Sequence, residues 1–354
     1  MLMTPGPTEV PASVRERMSE PMPNPDVESS FRDLYGDVTE KLATVYDTDD
    51  DVVVMGGEGI LGLEAAVASL VSEGDDVLCL SNGLYGDGFA DFVEQYGGRV
   101  TTCDAPPTEL LDAEDVKDAL DGRSFDVATV VHCETPTGTL NDLDEILGVL
   151  DDAGVLTIVD AVSSLGGVAV PTERIDVCLG ASQKCFSASP GLTTLSVSDD
   201  AWEATREGEP RTFYANLAPW DDVVHDDAQF PYTQLGANVA ALDEALDRLL
   251  DEGPATVRER HAEVAAYCRD RAAELGLSLF PDDEAYCSPT VTALDADGRA
   301  PDLQRRLDED HDIVLATGLG PYEDDVLRVG HMGYNADRGK VRRTMDALES
   351  VLGE

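Results

Sequence analysis

The sequence has 354 residues, with 72 acidic side chains against 24 basic ones and a formal net charge of −48. Such a polyanion is repelled by phosphate backbones and anionic lipid, which excludes nucleic-acid and membrane-surface roles and leaves small molecules or further copies of itself as partners. The acids are spread over a chain that is 42% hydrophobic, so the composition predicts folding and not disorder. The load suits the salt-rich cytoplasm of an extreme halophile, where molar salt shrinks the Debye length to about 3 Å.

No apolar run approaches the roughly 20 residues that span a bilayer. The opening Met1-Leu-Met-Thr-Pro-Gly-Pro7 lacks the basic region and apolar core of a signal peptide, so a cytoplasmic location is expected. Seven cysteines, an odd number without a Cys-x-x-Cys pair, indicate neither a disulfide framework nor a zinc site. They read as small buried apolar residues, and no metal is expected. Length favours two domains.

From about residue 50 the chain cycles between short β-branched runs and amphipathic stretches, the pattern of a parallel sheet with crossover helices. Strands are predicted at Val52–Met55, Val77–Leu80, Val127–His132, Leu156–Asp160, Val177–Leu179 and Leu192–Val197. Helical spacing marks Leu61–Val71, Gly88–Tyr96, Ala113–Leu120 and Leu143–Leu150 between them. Longer helices follow at Val239–Leu250 and Ala255–Leu275, split by Gly253-Pro254. A smaller α+β unit then holds strands near Leu277–Phe280, Val291–Leu294 and Val326–Val329 and a last helix from Ala336 to Leu352.

Three clusters carry chemistry. The first strand runs into Gly57-Glu58-Gly59-Ile60-Leu61-Gly62, formally a dinucleotide loop, but the next strand ends in Ser81-Asn82 and not in the acid that would hold a ribose. A narrower reading survives: amides of Gly59 and Ile60, at a helix N-terminus, hold one phosphate group, with a plain tight turn as the alternative. Asp160 closes an apolar strand, where a carboxylate either caps a helix or holds a protonated nitrogen. Lys184 is one of only four lysines and the sole charge between Cys178 and Ser198, whereas Lys41, Lys117 and Lys340 read as solvated surface positions. Partial burial would depress its pKa and make it an amine nucleophile; a surface ion pair is the bland alternative. A phosphate loop, a strand-end Asp and a Lys 24 positions later together fit pyridoxal phosphate.

In these motifs the chain resembles the class V aminotransferases, in the alanine–glyoxylate / serine–pyruvate branch of the pyridoxal-phosphate fold type I enzymes. The likeness runs from Thr4-Pro-Gly-Pro-Thr8 through the Gly57 loop, Asn82-Gly-Leu-Tyr-Gly86, His132-Cys-Glu-Thr-Pro-Thr-Gly138, Val159-Asp-Ala-Val-Ser-Ser164 and Ala181-Ser-Gln-Lys184 to Leu327-Arg-Val-Gly-His-Met-Gly333. It implies an α/β fold whose large domain has a mainly parallel, seven-stranded type of sheet between helices, plus a small C-terminal α+β domain. On that pattern residues 1–18 form an arm at the active site, 19–250 the large domain and 251–354 the small one. The activity implied is transfer of an amino group from a small L-amino acid, alanine or serine, to glyoxylate or pyruvate.

The resemblance also implies roles. Lys184 carries the cofactor and shuttles a proton between the substrate Cα and the cofactor C4′, and Asp160 pairs with the pyridine nitrogen. Tyr85 lies over the ring, unless it is an ordinary core tyrosine. Thr135 and Val162 touch the ring, and Gln183 lies near the phosphate or phenolic oxygen. Gly57, Glu58, Gly59 and Ile60 form the phosphate loop. Arg328 grips the substrate carboxylate, with a structural salt bridge as the alternative, and Gly6 belongs to the substrate side. Thr233, in Phe230-Pro-Tyr-Thr-Gln234, reaches the cofactor phosphate of a neighbouring subunit, which implies a homodimer with shared active sites.

Departures from the pattern are informative. Glu58 stands where Ser is common, so its side chain must point away or the amides alone hold the phosphate. Phe230 stands where a tyrosine hydroxyl is common, so that bond to the phosphate is either missing or supplied by Tyr232. The usual basic residue is missing from Met22–Ser30. A lyase of the cysteine desulfurase type is disfavoured, since Gln183 and not His precedes Lys184 and Cys185 is no mobile carrier. A non-catalytic cofactor-binding protein would not need Arg328. From the charge we expect dialysis into low salt to release cofactor or split the dimer, while saturated protein in molar salt keeps both; equal stability in both would refute the halophilic reading.

Overall fold

A computed structural model describes residues 1–208, 211–226 and 228–353. The chain opens with α1 (Ala12–Met18) and α2 (Ser29–Tyr46). Six of the seven strands of the large sheet match predicted runs: β1 (Asp51–Gly56), β2 (Asp76–Ser81), β4 (Val127–Val131), β7 (Leu156–Asp160), β8 (Val177–Ala181) and β9 (Leu192–Val197). The seventh, β3 (Arg99–Asp104), escapes a search for apolar runs because it is a half-exposed edge strand, with Cys103 its one buried residue. A hairpin of β5 (Cys133–Glu134) and β6 (Thr139–Leu140) cuts the predicted Val127–His132 strand short.

The sheet order is β1-β9-β8-β7-β4-β2-β3. Only β9 runs against both of its neighbours, β1 and β8; the other pairs are parallel. Near-continuous burial of β2, β4, β7 and β8 explains their unbroken Val/Ile/Leu runs, since helices cover both faces. The register pairs Val131 with Asp160 and Asp160 with Leu179, so the carboxyl ends of three central strands lie side by side. Ligands gather at that edge of an open α/β sheet.

Helices α3 (Gly59–Leu70), α4 (Leu84–Gln95), α5 (Ala113–Leu120) and α6 (Asp144–Asp152) follow the strands. Both α3 and α4 begin earlier than their apolar spacing predicts. The Glu58 carboxylate caps α3 through the Ile60 amide, and the Glu134 carboxylate, from β5, accepts from the Tyr85 and Gly86 amides of α4. Two further helices, α7 (Asp199–Glu207) and α8 (Ala218–His225), have no counterpart among the predicted elements.

Beyond α9 (Gly236–Glu252) and α10 (Pro254–Glu274), a second sheet of order β10-β11-β13-β12 comprises β10 (Ser278–Leu279), β11 (Val291–Asp295), β12 (Ala316–Thr317) and β13 (Val326–Gly330). With α11 (Ala300–His311) and α12 (Arg338–Gly353) it encloses its own apolar core. The periodic pattern of α11 is sparse, only Ala300, Leu303 and Leu307 being buried, which hides it from a search for helical spacing. Residues Leu2 and Met3 join this second layer: Met3 is fully buried, its amide donating to Val314 O (2.9 Å) and its carbonyl accepting from Gly330 N (2.7 Å). No helix among the described residues is long and apolar enough to cross a membrane.

The packing predicts that Leu78→Ala, on β2 between β4 and the edge strand β3 and fully buried, lowers unfolding stability by about 2–5 kcal/mol in a denaturant titration.

Candidate active site

At the carboxyl edge of the large sheet a cavity is lined by residues of α3, α4 and β7 and of the loops after β1, β5, β7 and β8, including Glu58, Gly59, Ile60, Tyr85, Thr135, Asp160, Val162 and Lys184. Asp160 ends β7 and is 6% exposed. Its Oδ1 accepts from the Val162 amide at 2.8 Å, so the helix-cap alternative reduces to one local bond. Burial pushes its pKa up to about 6, against the opposing pull of Val162 and Lys184.

Lys184 lies in the loop after β8 and donates from Nζ to Pro5 O at 2.9 Å. Burial first and the Arg328 charge second lower its pKa, while Asp160 works the other way. Of the other lysines, Lys117 is at the exposed surface as expected, whereas Lys41 and Lys340 are partly buried in ion pairs, a correction to the sequence expectation. Lys41 meets Asp243 (2.6 Å) and Asp247 (2.5 Å), Lys340 meets Glu9 (3.1 Å) and the Tyr334 ring, and Lys117 pairs with Glu114. Gly6 is required where the N-terminal arm crosses Lys184: its φ is +97°, and a Cβ there would fall 2.3 Å from Lys184 Cδ.

Tyr85 is positioned by a residue that the sequence did not single out. Glu134 is fully buried and accepts from Gly86 N (2.7 Å) and Tyr85 N (3.3 Å), fixing the first turn of α4. Desolvation raises its pKa to about 7. Nothing in the local spacing could reveal this cap, because it joins positions 48 and 49 residues apart.

Arg328, on β13, is 5% exposed, donating from Nε to Thr317 O (2.7 Å) and from Nη1 to Thr135 O (3.2 Å). Both acceptors are carbonyls; among the described residues no carboxylate pairs with it, which removes the salt-bridge alternative. Burial lowers its pKa to about 10. A buried guanidinium without an anion, in a chain with 72 acids, is a costly arrangement unless a ligand carboxylate completes it.

Not every expected residue lines the cavity. Gly57 turns the chain beside Leu61 and bonds from its amide to Gly191 O (2.8 Å). Gln183 is buried, with its carbonyl accepting from Thr8 N (3.0 Å). Thr233 lies apart and donates to Asp26 Oδ2 at 3.0 Å. Phe230 packs on Phe31 and Tyr35, with ring centroids 5.7 and 4.9 Å apart, and serves the core. Glu58 does not point away: Oε1 takes the Ile60 amide at 3.2 Å, since an uncapped helix N-terminus attracts the nearest anion.

The ring end of the cavity fits pyridoxal phosphate: an amine of lowered pKa, a buried carboxylate across from it, an aromatic side chain and the small Val162. At the phosphate end Gly59 lets the helix approach, since a Cβ there would lie 3.1 Å from Val162. A family model described as "Aminotransferase class-V" matches residues 2–323. Pyridoxamine–pyruvate transaminase of Mesorhizobium japonicum is 34% identical over 88% of this chain and 81% of its own length. Alanine–glyoxylate aminotransferase of Oryctolagus cuniculus is 30% identical over 99% and 92%. The solved structure of an alanine–glyoxylate aminotransferase from a Nostoc species has a TM-score of 0.95 at 30% identity, covering 99% of this chain and 94% of that one.

The charge arrangement predicts that the pH midpoint for chemical labelling of Lys184 lies below the ordinary 10.5. Asp160→Asn should lower it further, because that carboxylate favours the charged amine. Peptide mapping after brief exposure to an amine-reactive reagent measures both; a higher midpoint in the variant would show that the two charges do not meet.

Proposed function

We propose that this chain, a pyridoxal-phosphate-dependent transaminase that belongs to the class V aminotransferases, moves the amino group of a small L-amino acid, alanine or serine, to glyoxylate or pyruvate. The observation that carries the substrate reading is Arg328, a buried cation whose protein partners are neutral carbonyls. Its bonds to Thr317 and Thr135 set the guanidinium plane, and the donors left over suit the bidentate grip of an α-carboxylate. Lys184 is the one cation among the described residues that line the cavity, and Arg328 lies outside that lining but near enough to depress the Lys184 pKa, so no third cation among them is placed to pair with a side-chain carboxylate. That favours small substrates.

When bound, pyridoxal phosphate supplies an aldehyde and an electron-withdrawing pyridine ring. Asp160 would hold the proton on the ring nitrogen, and Tyr85 would cover the ring face. Lys184 would hold the aldehyde end of the group, and its free amine, kept partly neutral by the lowered pKa, would take and return the proton at the substrate Cα. Pro5 O holds the amine in position, and the backbone at Gly6 passes close against the lysine side chain.

A homodimer with shared sites belongs to the same proposal. It is supported by exposed apolar side chains beside the cavity, Ile60 at 40%, Leu84 at 36% and Leu235 at 44%, and by Thr233 on the segment that the resemblance assigns to a neighbour's phosphate. A reducing cytoplasm is supported by seven buried cysteines, all free. Transamination between pyridoxamine and pyruvate, as in the name of the Mesorhizobium relative, is a second reading, favoured by the Glu58 carboxylate on the phosphate loop.

Borohydride reduction and peptide mapping should place the cofactor on Lys184; a label elsewhere would sink the assignment. In a donor and acceptor panel at high salt, Arg328→Lys should raise KM for alanine by about tenfold or more, since an ammonium cannot reproduce the fork. Activity confined to dicarboxylic acids would overturn the small-substrate reading.

A further inference from the structure

A cleft outside the active site is formed where the residues after β4 and β6 meet the loop 168–171, and it shares no lining residue with the cavity that holds Lys184. Much of its wall is apolar, built from Leu110, Leu140, Val168 and Val170. Asp142 and Asp144 stand exposed on it, and among the described residues neither lysine nor arginine lines it. Arg174 donates to the backbone carbonyl of Asp144 (3.3 Å) and not to its carboxylate. Exposed acids by themselves attract any cation, so selectivity needs a further group. His132 supplies it, lining the cleft while only 4% exposed. Its Nδ1 lies 2.8 Å from Ser164 Oγ, whose own proton goes to Ala161 O at 3.2 Å, so Nδ1 is the donor and Nε2 carries a lone pair. Among the described residues nothing bonds to Nε2, and that atom is not sealed from solvent. Burial lowers the His132 pKa to about 4, with Asp142 opposing, so the ring is neutral near neutral pH and Nε2 stays an acceptor. Asn141, the other buried polar side chain there, is fully engaged with Asn82, Val131 and Leu111.

We infer that this cleft binds a protonated primary alkylamine, whose N–H donates to His132 Nε2, whose charge is met by Asp142 and whose alkyl chain lies on Leu140, Val168 and Val170. The free side-chain groups that the cleft offers are all acceptors, which calls for a ligand that donates. No group of three or more His, Cys, Asp or Glu among the described residues is placed to hold a metal ion, so the donor is organic. The two carboxylates repel an α-carboxylate, and the ligand therefore differs in class from the amino-acid substrates. The cleft backs onto the active-site acid, since the His132 amide donates to Asp160 O at 2.9 Å. This site goes beyond the transaminase reading and stands or falls apart from it.

The test follows the imidazole signals of the full-length chain by NMR in a sodium salt, where five histidines are few enough to resolve. Butylammonium should shift the His132 signal saturably, with a dissociation constant of about 1 mM or tighter. The exposed His225, beside Asp51 and Asp221, is the control for general attraction of cations and should not follow. Butyltrimethylammonium keeps the charge without an N–H, butanol keeps a donor without the charge, and neither should saturate His132. Asp142→Asn, at an exposed position, should weaken butylammonium by about threefold or more. His132→Phe, which removes the acceptor, should abolish the heat of binding in a calorimetric titration; if that variant does not fold, the ligand series and Asp142→Asn decide alone. An equal response to butyltrimethylammonium, a His225 shift as large as that of His132, or no saturable shift of His132 would overturn the inference. None of these outcomes touches the mapping of the cofactor to Lys184, so the transaminase reading survives failure here.

Discussion

Two opposite charges sharing one cavity set the terms for the rest of the molecule. Asp160 and Lys184 are each displaced from their ordinary pKa by burial, the acid upward and the amine downward, and each partly restores the other. Neither could be held there by its own segment. Asp160 needs β7 flanked by β4 and β8, and Lys184 needs the loop that leaves β8 together with an N-terminal arm whose carbonyl receives its amine. The large sheet positions the acid, and the arm, anchored in the second sheet by Leu2 and Met3, positions the base.

The acidic composition sharpens this constraint. A cavity meant for a phosphate and a carboxylate is embedded in a protein of net charge −48, so its cations must be protected from being neutralised by local acids. Three of the four lysines are consumed in ion pairs, while Lys184 and Arg328 are kept against neutral carbonyls. Among the described residues no carboxylate forms an ion pair with either, and the desolvation that accompanies burial is the main physical reason that both have lowered pKa values. Glu58 is the exception on the phosphate side, an acid admitted to the cavity because the helix end next to it offers an unpaired amide.

Most large-sheet strands were legible because buried parallel strands are written as continuous apolar runs. The half-exposed edge strand β3 and the highly charged helix α11 carry too little of that signal. Within the site, Lys184 stood out by the absence of charge around it, and Asp160 by its place at the end of an apolar run. Gly6 was legible only through resemblance to a family; its reason, the passage of backbone within van der Waals reach of Lys184, is a contact between positions 178 residues apart in the chain. Glu134 was not legible at all, since its effect is exerted on amides of another element.

The sequence by itself determined the fold class, the acid–lysine pair and the family, because strand burial, small-residue loops and rare lysines leave their mark on neighbouring positions. Only the tertiary structure decided where Glu58 puts its charge, what holds Tyr85 in place and that Arg328 has no acid beside it among the described residues. Those are questions of which groups meet across the fold, and in a chain with three acids for every base composition would have paired Arg328 with a carboxylate. The register of β13 against β11 and β12 carries it instead to two carbonyl oxygens.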